Sequence, residues 1–268
     1  MAPETPTADR RSGEAMGGDR DVDGFYTWQQ LAGEMAGLPL LFNAPLSERH
    51  AAGLIDDLHL HEKSQILDLG CGWGELLLRA LATRPGAIGV GVDHDLAAVS
   101  RARGAAAKRN LLQRATFVCA DLLTYTGPPS DVVFAVGIGH TTDSPRHSLS
   151  IIKDRLLPGG TTLYADGYWK RSPTVAERAA IGSHSRELGT LDELRADAAG
   201  VGFGVLASSV ADDEELQSYA RQTHTGLLQR LRIWDTDHQR KVIERQEGLW
   251  RDVLQSLEGF AYFLLGQR

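Results

Sequence analysis

The chain is short of cysteine, of basic charge and of long apolar runs, and each shortage closes a class of function. Two of its 268 residues are cysteines, Cys71 and Cys119. They form no Cys-x-x-Cys pair, and both fall in strand or strand-end segments, so two buried thiols in a reducing interior are expected. Lysine and arginine number 28 against 35 aspartates and glutamates, a net charge of −7. A nucleic-acid partner calls for a basic footprint, and this balance offers none. No apolar run is long enough to cross a bilayer, and no signal-peptide core is present. The expectation is a soluble cytoplasmic chain with neither a membrane nor a nucleic-acid partner. His59-Leu60-His61 lacks a carboxylate or cysteine cluster beside it and reads as a surface pair, so no metal is expected. Residues 1–23 carry almost no large apolar side chain and read as a disordered tail.

What is present centres on Ile66-Leu67-Asp68-Leu69-Gly70-Cys71-Gly72-Trp73-Gly74. An apolar run stops at three alternating glycines, and an amphipathic stretch from Glu75 to Leu81 follows: a buried strand, a tight turn and a helix start. Glycine allows positive φ and lets a ligand approach where a Cβ would stand. A dinucleotide fingerprint needs a third glycine at position 75, which is Glu75, and a carboxylate at a helix start opposes a pyrophosphate. The Walker lysine and Ser/Thr are missing too. Asp68, just before the glycines, suits a ligand carrying an ammonium group.

Beyond the turn, apolar runs alternate with helical stretches. Strands are expected at Ala87–Val92, Ala115–Ala120, Asp131–Val136 and Thr161–Ala165. Helices are expected at Leu96–Lys108 and Ser148–Leu157, the latter closed by Pro158-Gly159-Gly160. Continuous apolar strands between helices indicate a parallel sheet buried on both faces, hence a doubly wound α/β fold. Upstream, Ser47 caps a helix running to Leu60, within a segment 24–62 placed either as a lid over the ligand edge or as a cover of the sheet. Downstream come a strand at Phe203–Val210, two long helices within 211–257 and a last strand at Phe260–Leu265. Residues 24–268 thus read as one domain, with its core at 63–210, a helical insertion at 211–257 and the last strand within 258–268.

Asp93 ends the second strand at the distance where an acid bonds ribose hydroxyls, with His94 beside it. His94-Asp95 also reads as an ordinary helix cap. Asp121-Leu122 ends the third strand; it fits an adenine site, with the acid on the amino group and the leucine on the ring, or a plain N-cap. His140 follows Gly137-Ile138-Gly139 at the end of the fourth strand and is the candidate general base, with a solvent-facing loop histidine as the alternative. Tyr168 and Trp169 end the fifth strand, where they line an acceptor pocket or pack on the insertion. Tyr26 and Trp28 offer the same from the N-terminal segment. His224, on the inserted helices, is a weaker candidate for the same site, with a plain helix-face residue as the alternative.

These residues together resemble class I S-adenosylmethionine-dependent methyltransferases. The stretches that carry the resemblance are Leu67 to Gly74, Gly91-Val92-Asp93, Cys119-Ala120-Asp121-Leu122 and Leu157-Pro158-Gly159-Gly160. The resemblance implies a Rossmann-like seven-stranded sheet with an antiparallel last strand, and S-adenosylmethionine as cofactor, bound by Asp68, Gly70, Cys71, Gly72, Asp93, His94, Asp121, Leu122 and Gly137. It implies in-line transfer of a methyl group to an O, N or S atom of a small molecule. Tyr168-Trp169 followed by Pro173-Thr174 is also similar to a bacterial subgroup of these enzymes. No Asn/Asp-Pro-Pro-Tyr/Phe follows the fourth strand, which speaks against the group that methylates nucleic-acid amines, and the magnesium-binding acids of catechol-type enzymes are not recognisable. The alternatives are a cyclopropane-fatty-acid-synthase-like enzyme, which Gly-Cys-Gly-Trp-Gly also resembles, a non-catalytic cofactor-binding protein on the same fold, and an NAD-dependent oxidoreductase.

Overall fold

The structure is a computed structural model that describes residues 35–181, 188–234 and 237–268. Tyr26 and Trp28 lie outside the described residues, as does the tail at 1–23. Seven strands form one sheet in the order β3-β2-β1-β4-β5-β7-β6. The strands are β1 Gln65–Leu69, β2 Ile88–Asp93, β3 Ala115–Cys119, β4 Ser130–Val136, β5 Leu156–Trp169, β6 Phe203–Val210 and β7 Glu258–Gln267. β1 to β5 pair in parallel, and β7 runs antiparallel between β5 and β6. The strand order reverses at β1, so the carboxyl ends of β1 and β4 flank the crevice in which such sheets bind ligands.

Helices cover both faces because the central strands are apolar on both. One layer holds α1 (Glu48–Asp57), α2 (Glu75–Thr83) and α3 (Leu96–Lys108). Their Leu54, Ile55, Leu77, Leu81, Val99 and Ala102 pack on Ile66, Phe134 and Leu163. The other layer holds α4 (Pro145–Lys153) and α6 (Leu191–Val201), whose Leu149, Ile152, Leu194 and Ala198 meet Leu67, Val133 and Tyr164. Alternate residues of one strand thus serve opposite layers. Ser47 caps α1 as its position predicts, its side chain accepting from His50 N at 3.1 Å.

Helices α7 (Asp213–Trp234) and α8 (Asp237–Leu249) come between β6 and β7 in the chain, followed by a π-helical turn at Trp250–Leu254. Short α5 (Val175–Ile181) follows β5. One expectation fails here. Pro158-Gly159-Gly160 does not close α4, which ends at Lys153 with Asp154 as its C-cap, but lies inside β5. Ser130 pairs with Leu156 and Val132 already with Thr161, so 157–160 bulge out of the ladder, with Gly159 at φ +77°. A bulge shelters a proline that has no N–H for the ladder.

Candidate active site

The turn after β1 is held from below by β2. Gly70 N and Cys71 N donate to Val92 O at 2.8 and 3.0 Å, and Gly72 N donates to Asp93 Oδ2 at 2.7 Å. The other oxygen of Asp93 accepts from Asp95 N at 2.9 Å, so this one carboxylate fixes both the glycine turn and the entry to α3. Gly70, Gly72 and Gly74 all have positive φ. Their surroundings differ. A Cβ on Gly70 would stand 2.7 Å from Ile138 Cγ2, and one on Gly74 2.4 Å from the Phe117 ring, whereas a Cβ on Gly72 would meet no atom within 4 Å. Gly70 and Gly74 are therefore glycines for packing, and Gly72 is the one whose bare backbone faces open space.

Beside that space stand two carboxylates. Asp68 is buried, and burial first, then the Asp93 charge, pushes its carboxyl well above the usual range. Among the described residues no group hydrogen-bonds it. Burying an acid is costly, and a cationic ligand would relieve that cost. Cys71 lies close by; burial, then the charges of Asp68 and Asp93, push its thiol up, so it stays protonated and is no nucleophile. Neither cysteine is fully buried, contrary to expectation: Cys71 is half-buried and Cys119 exposed, because the edge strand β3 turns Cys119 outward. These groups fit a ligand with a ribose diol and an ammonium end: an open glycine backbone, one carboxylate already oriented and one awaiting a cation.

Leu122 is buried with Ile138, its Cδ2 3.8 Å from where a Gly70 Cβ would stand, so it joins the turn; Asp121 is exposed and its carboxylate caps Leu123 N at 2.8 Å. His94 lies beside Asp93 at 3.7 Å with most of its ring in solvent. Gly137, at φ +71°, starts a single 3-10 turn, Ile138–Thr141, that presents His140 to solvent. His140 Nδ1 lies 2.9 Å from Gly137 O. A carbonyl only accepts, so Nδ1 carries the proton of that bond, which leaves Nε2 as the acceptor nitrogen of the neutral ring. Tyr168 is half-buried, and its hydroxyl is held protonated by burial. Trp169 is buried with Ile181 and Leu257, so it packs under the π-helical turn. His224 is buried on α7, and burial holds its imidazole below the ordinary value.

Glu75 requires a correction. Its carboxylate is buried and paired at 2.6 Å with both Arg79 Nε and Arg109 Nη2. It is not a free negative charge over the turn, so its charge does not exclude a phosphate; what speaks against one is the absence of the third glycine and of the Walker residues.

Two residues not foreseen as functional, Trp73 and Arg101, tie the turn to distant segments. Trp73, between Gly72 and Gly74, donates from Nε1 to Leu41 O at 2.7 Å. Arg101 of α3 stacks on the Trp73 ring at 4.2 Å. Its guanidinium donates to Ala36 O, Leu38 O and Leu40 O at 3.1, 2.8 and 2.7 Å. Met35, Leu38 and Leu40 complete a cluster with Trp73 and with Leu227 and Ile243 of α7 and α8. Both the N-terminal segment and the insertion thus rest on the side chain at the tip of the turn. A tryptophan framed by two glycines was the available signal; Arg101 had none.

Comparison with known proteins follows this geometry. Residues 66–160 match a family described as "Methyltransferase domain". A release factor glutamine methyltransferase of Bradyrhizobium diazoefficiens is 36% identical over 125 residues, a match spanning 45% of this chain and 42% of that protein. The chain thus matches under half the length of that curated relative. YjhP of Escherichia coli, an uncharacterised protein, is 29% identical over 65% of this chain and 71% of its own length. Its crystal structure superposes with a TM-score of 0.80 at 23% identity, covering 88% of this chain and 99% of that one. A methyltransferase of Geobacter sulfurreducens, solved with S-adenosylhomocysteine, gives 0.77 at 23% identity over 86% and 95%. No helix among the described residues is long and apolar enough to cross a membrane. With the motifs in order on a sheet of the right topology, residues 66–160 match a methyltransferase domain, and the chain has the fold of S-adenosylmethionine-dependent methyltransferases.

Proposed function

We propose that the chain transfers a methyl group to an O, N or S atom of a small molecule, with His140 as the base. The observation that carries this reading is the tautomer of His140. Gly137 O accepts from Nδ1–H, so in the neutral ring Nε2 is the nitrogen that can accept a proton from an acceptor at the carboxyl end of β4. The bound cofactor supplies a methyl group already activated on a sulfonium. The protein binds and orients. Asp93 bonds the ribose hydroxyls while holding Gly72, Asp68 takes the ammonium end, and Asp121 and Leu122 take the adenine amino group and ring. Gly70, Cys71, His94 and Gly137 shape the walls. Such alignment is worth roughly 7–11 kcal/mol of barrier. Tyr168 lines the acceptor side; Tyr26 and Trp28 belong to the same reading from outside the described residues. The acidic balance, 35 acids against 28 bases, supports a small acceptor over a nucleic acid. A cytoplasmic setting is part of this reading, supported by the two free thiols.

The test is transfer of radiolabel from the cofactor into a cell extract, with the products separated by size. Label in a small molecule supports the reading, and label only in protein or nucleic acid overturns it. With that acceptor, His140→Ala is expected to lose about 10²–10⁴ in rate with cofactor affinity unchanged. An unchanged rate across pH removes His140 from the mechanism.

A further inference from the structure

The insertion meets the N-terminal segment at one carboxylate. Glu215 stands in the first turn of α7 and forms a capping box with Asp212: Glu215 N donates to Asp212 Oδ1 at 2.8 Å, and Asp212 N to Glu215 Oε2 at 3.1 Å. A capping glutamate normally ends its work there. This one also accepts from Ser47 N, the cap of α1, at 2.7 Å, and from His50 Nδ1 at 3.0 and 3.1 Å. One buried negative charge thus serves the N-termini of two helices from opposite ends of the chain, each with its dipole pointing at it. Burial raises its pKa, but the bonds from Ser47, His50 and Asp212 outweigh burial and hold the carboxylate below its usual range.

His50 extends the junction to the sheet. Glu215 can only accept, so His50 Nδ1 carries a proton, and Nε2 meets Ser209 Oγ of β6 at 2.7 Å. The ring sits edge-on to Tyr262 at 4.8 Å, and the Tyr262 hydroxyl donates to Pro45 O at 3.0 Å. Glu215, His50 and Ser209 form one hydrogen-bonded chain that links α7, α1 and β6. Its geometry is that of a joint between three elements.

What the joint holds is visible along α7. One turn on from Glu215, the half-buried Tyr219 donates its hydroxyl to Asn43 Oδ1 at 3.1 Å; burial, with the Glu258 charge adding, pushes this phenol up to about 12, so the donor proton is retained. Two turns further, Gly226 lies so close to Leu38 that a Cβ would stand 2.8 Å from Leu38 Cδ2, and Leu227 enters the Trp73 cluster. The helix is a lever rooted at Glu215 whose middle presses the N-terminal segment onto the tip of the glycine turn.

We propose that Glu215, with His50 and Ser209, is a positioning group that seats α7 and residues 35–43 over the glycine turn and thereby sets cofactor affinity. This rests on the reading of that turn as the cofactor site. It assigns to residues remote from the cofactor a role in binding it.

The experiment is calorimetry with S-adenosylhomocysteine, with hydrogen exchange alongside, on the full chain and on Glu215→Ala, Glu215→Gln and Ser209→Ala. Glu215→Ala is expected to bind about tenfold more weakly or worse, with faster exchange in 35–43 and 213–229 and unchanged exchange in β1 and β4. Glu215→Gln, which still accepts but offers no charge to the two helix ends, should recover part of the loss, and Ser209→Ala should lose least. Affinity within about twofold of wild type in Glu215→Ala, with faster exchange, makes the joint structural only and overturns the proposal. If wild type itself does not bind, the reading of the turn has failed instead. Should Glu215→Ala not fold, Tyr219→Phe decides at the other end of the lever: weaker binding supports the proposal, and unchanged binding overturns it.

Discussion

The floor of the site and its cover are built on opposite plans. The floor is local: Asp93 reaches Gly72 across 21 positions, and the three glycines owe their place to φ and to their own neighbours. The cover is assembled from distant pieces. Trp73 reaches Leu41 across 32 positions, Arg101 reaches Ala36 across 65, and Glu215 reaches Ser47 across 168. The floor carries one buried and one half-buried carboxylate and bare backbone, which are chemistry; the cover carries hydrogen bonds to carbonyls and apolar packing, which are fit.

The largest effect should come from breaking the floor where it is packed. Gly74→Ala sets a Cβ 2.4 Å from Phe117 at φ +72°. Left-handed backbone costs ~1–2 kcal/mol and overpacking ~1–3 more, a loss readable in urea unfolding. Gly72→Ala, at φ +52° with open space ahead, should cost only the ~1–2 kcal/mol of backbone strain, yet weaken S-adenosylhomocysteine binding the more of the two relative to its stability loss. If both variants lose affinity only in step with stability, Gly72 is no different from its neighbours.

Next is the cover. Arg101→Met removes the donors to Ala36 O, Leu38 O and Leu40 O, each of them charge-assisted. A loss of ~1.5–3 kcal/mol is expected, confined by hydrogen exchange to residues 35–43 and α7. Faster exchange in β1 would show that cover and floor are one unit.

Smaller and opposite in sign is Asp68→Asn. Burial, then the Asp93 charge, holds the Asp68 carboxyl above its usual range, so the folded chain keeps a proton the unfolded chain has released. Stability is therefore full below the ordinary carboxylate range and falls as pH rises towards the raised value. Asp68→Asn should abolish that fall, making the ligand-free protein more stable than wild type at neutral pH while weakening cofactor binding. Parallel stability curves against pH would refute the assignment. Smallest of all, Glu48→Ala breaks an exposed ion pair with Arg79 and should stay within ~0.5 kcal/mol, serving as the control.

The contrast between floor and cover is also a contrast in what the sequence discloses. Strand β1, the glycines, Asp68 and Asp93 are legible because their roles follow from local pattern: an apolar run, an alternation of glycines, an acid at a strand end. Glu75 was legible as a residue but not as a partner, because Arg109 joins it from 34 positions away. Trp169 offered two readings that local pattern does not separate; its packing depends on Ile181 and Leu257. Arg101 is one arginine among several on an alanine-rich helix, and what distinguishes it is the carbonyls of a segment more than sixty positions earlier. Glu215 looks like an ordinary capping residue until Ser47 and His50 are brought to it.

The most direct test of the central claim, that the turn after β1 binds S-adenosylmethionine through Asp93, is calorimetry with S-adenosylhomocysteine and NAD on wild type and Asp93→Ala. Micromolar binding of S-adenosylhomocysteine to wild type, lost in Asp93→Ala, with no binding of NAD, is the predicted result. Tight NAD binding, or S-adenosylhomocysteine binding that survives Asp93→Ala, would contradict it.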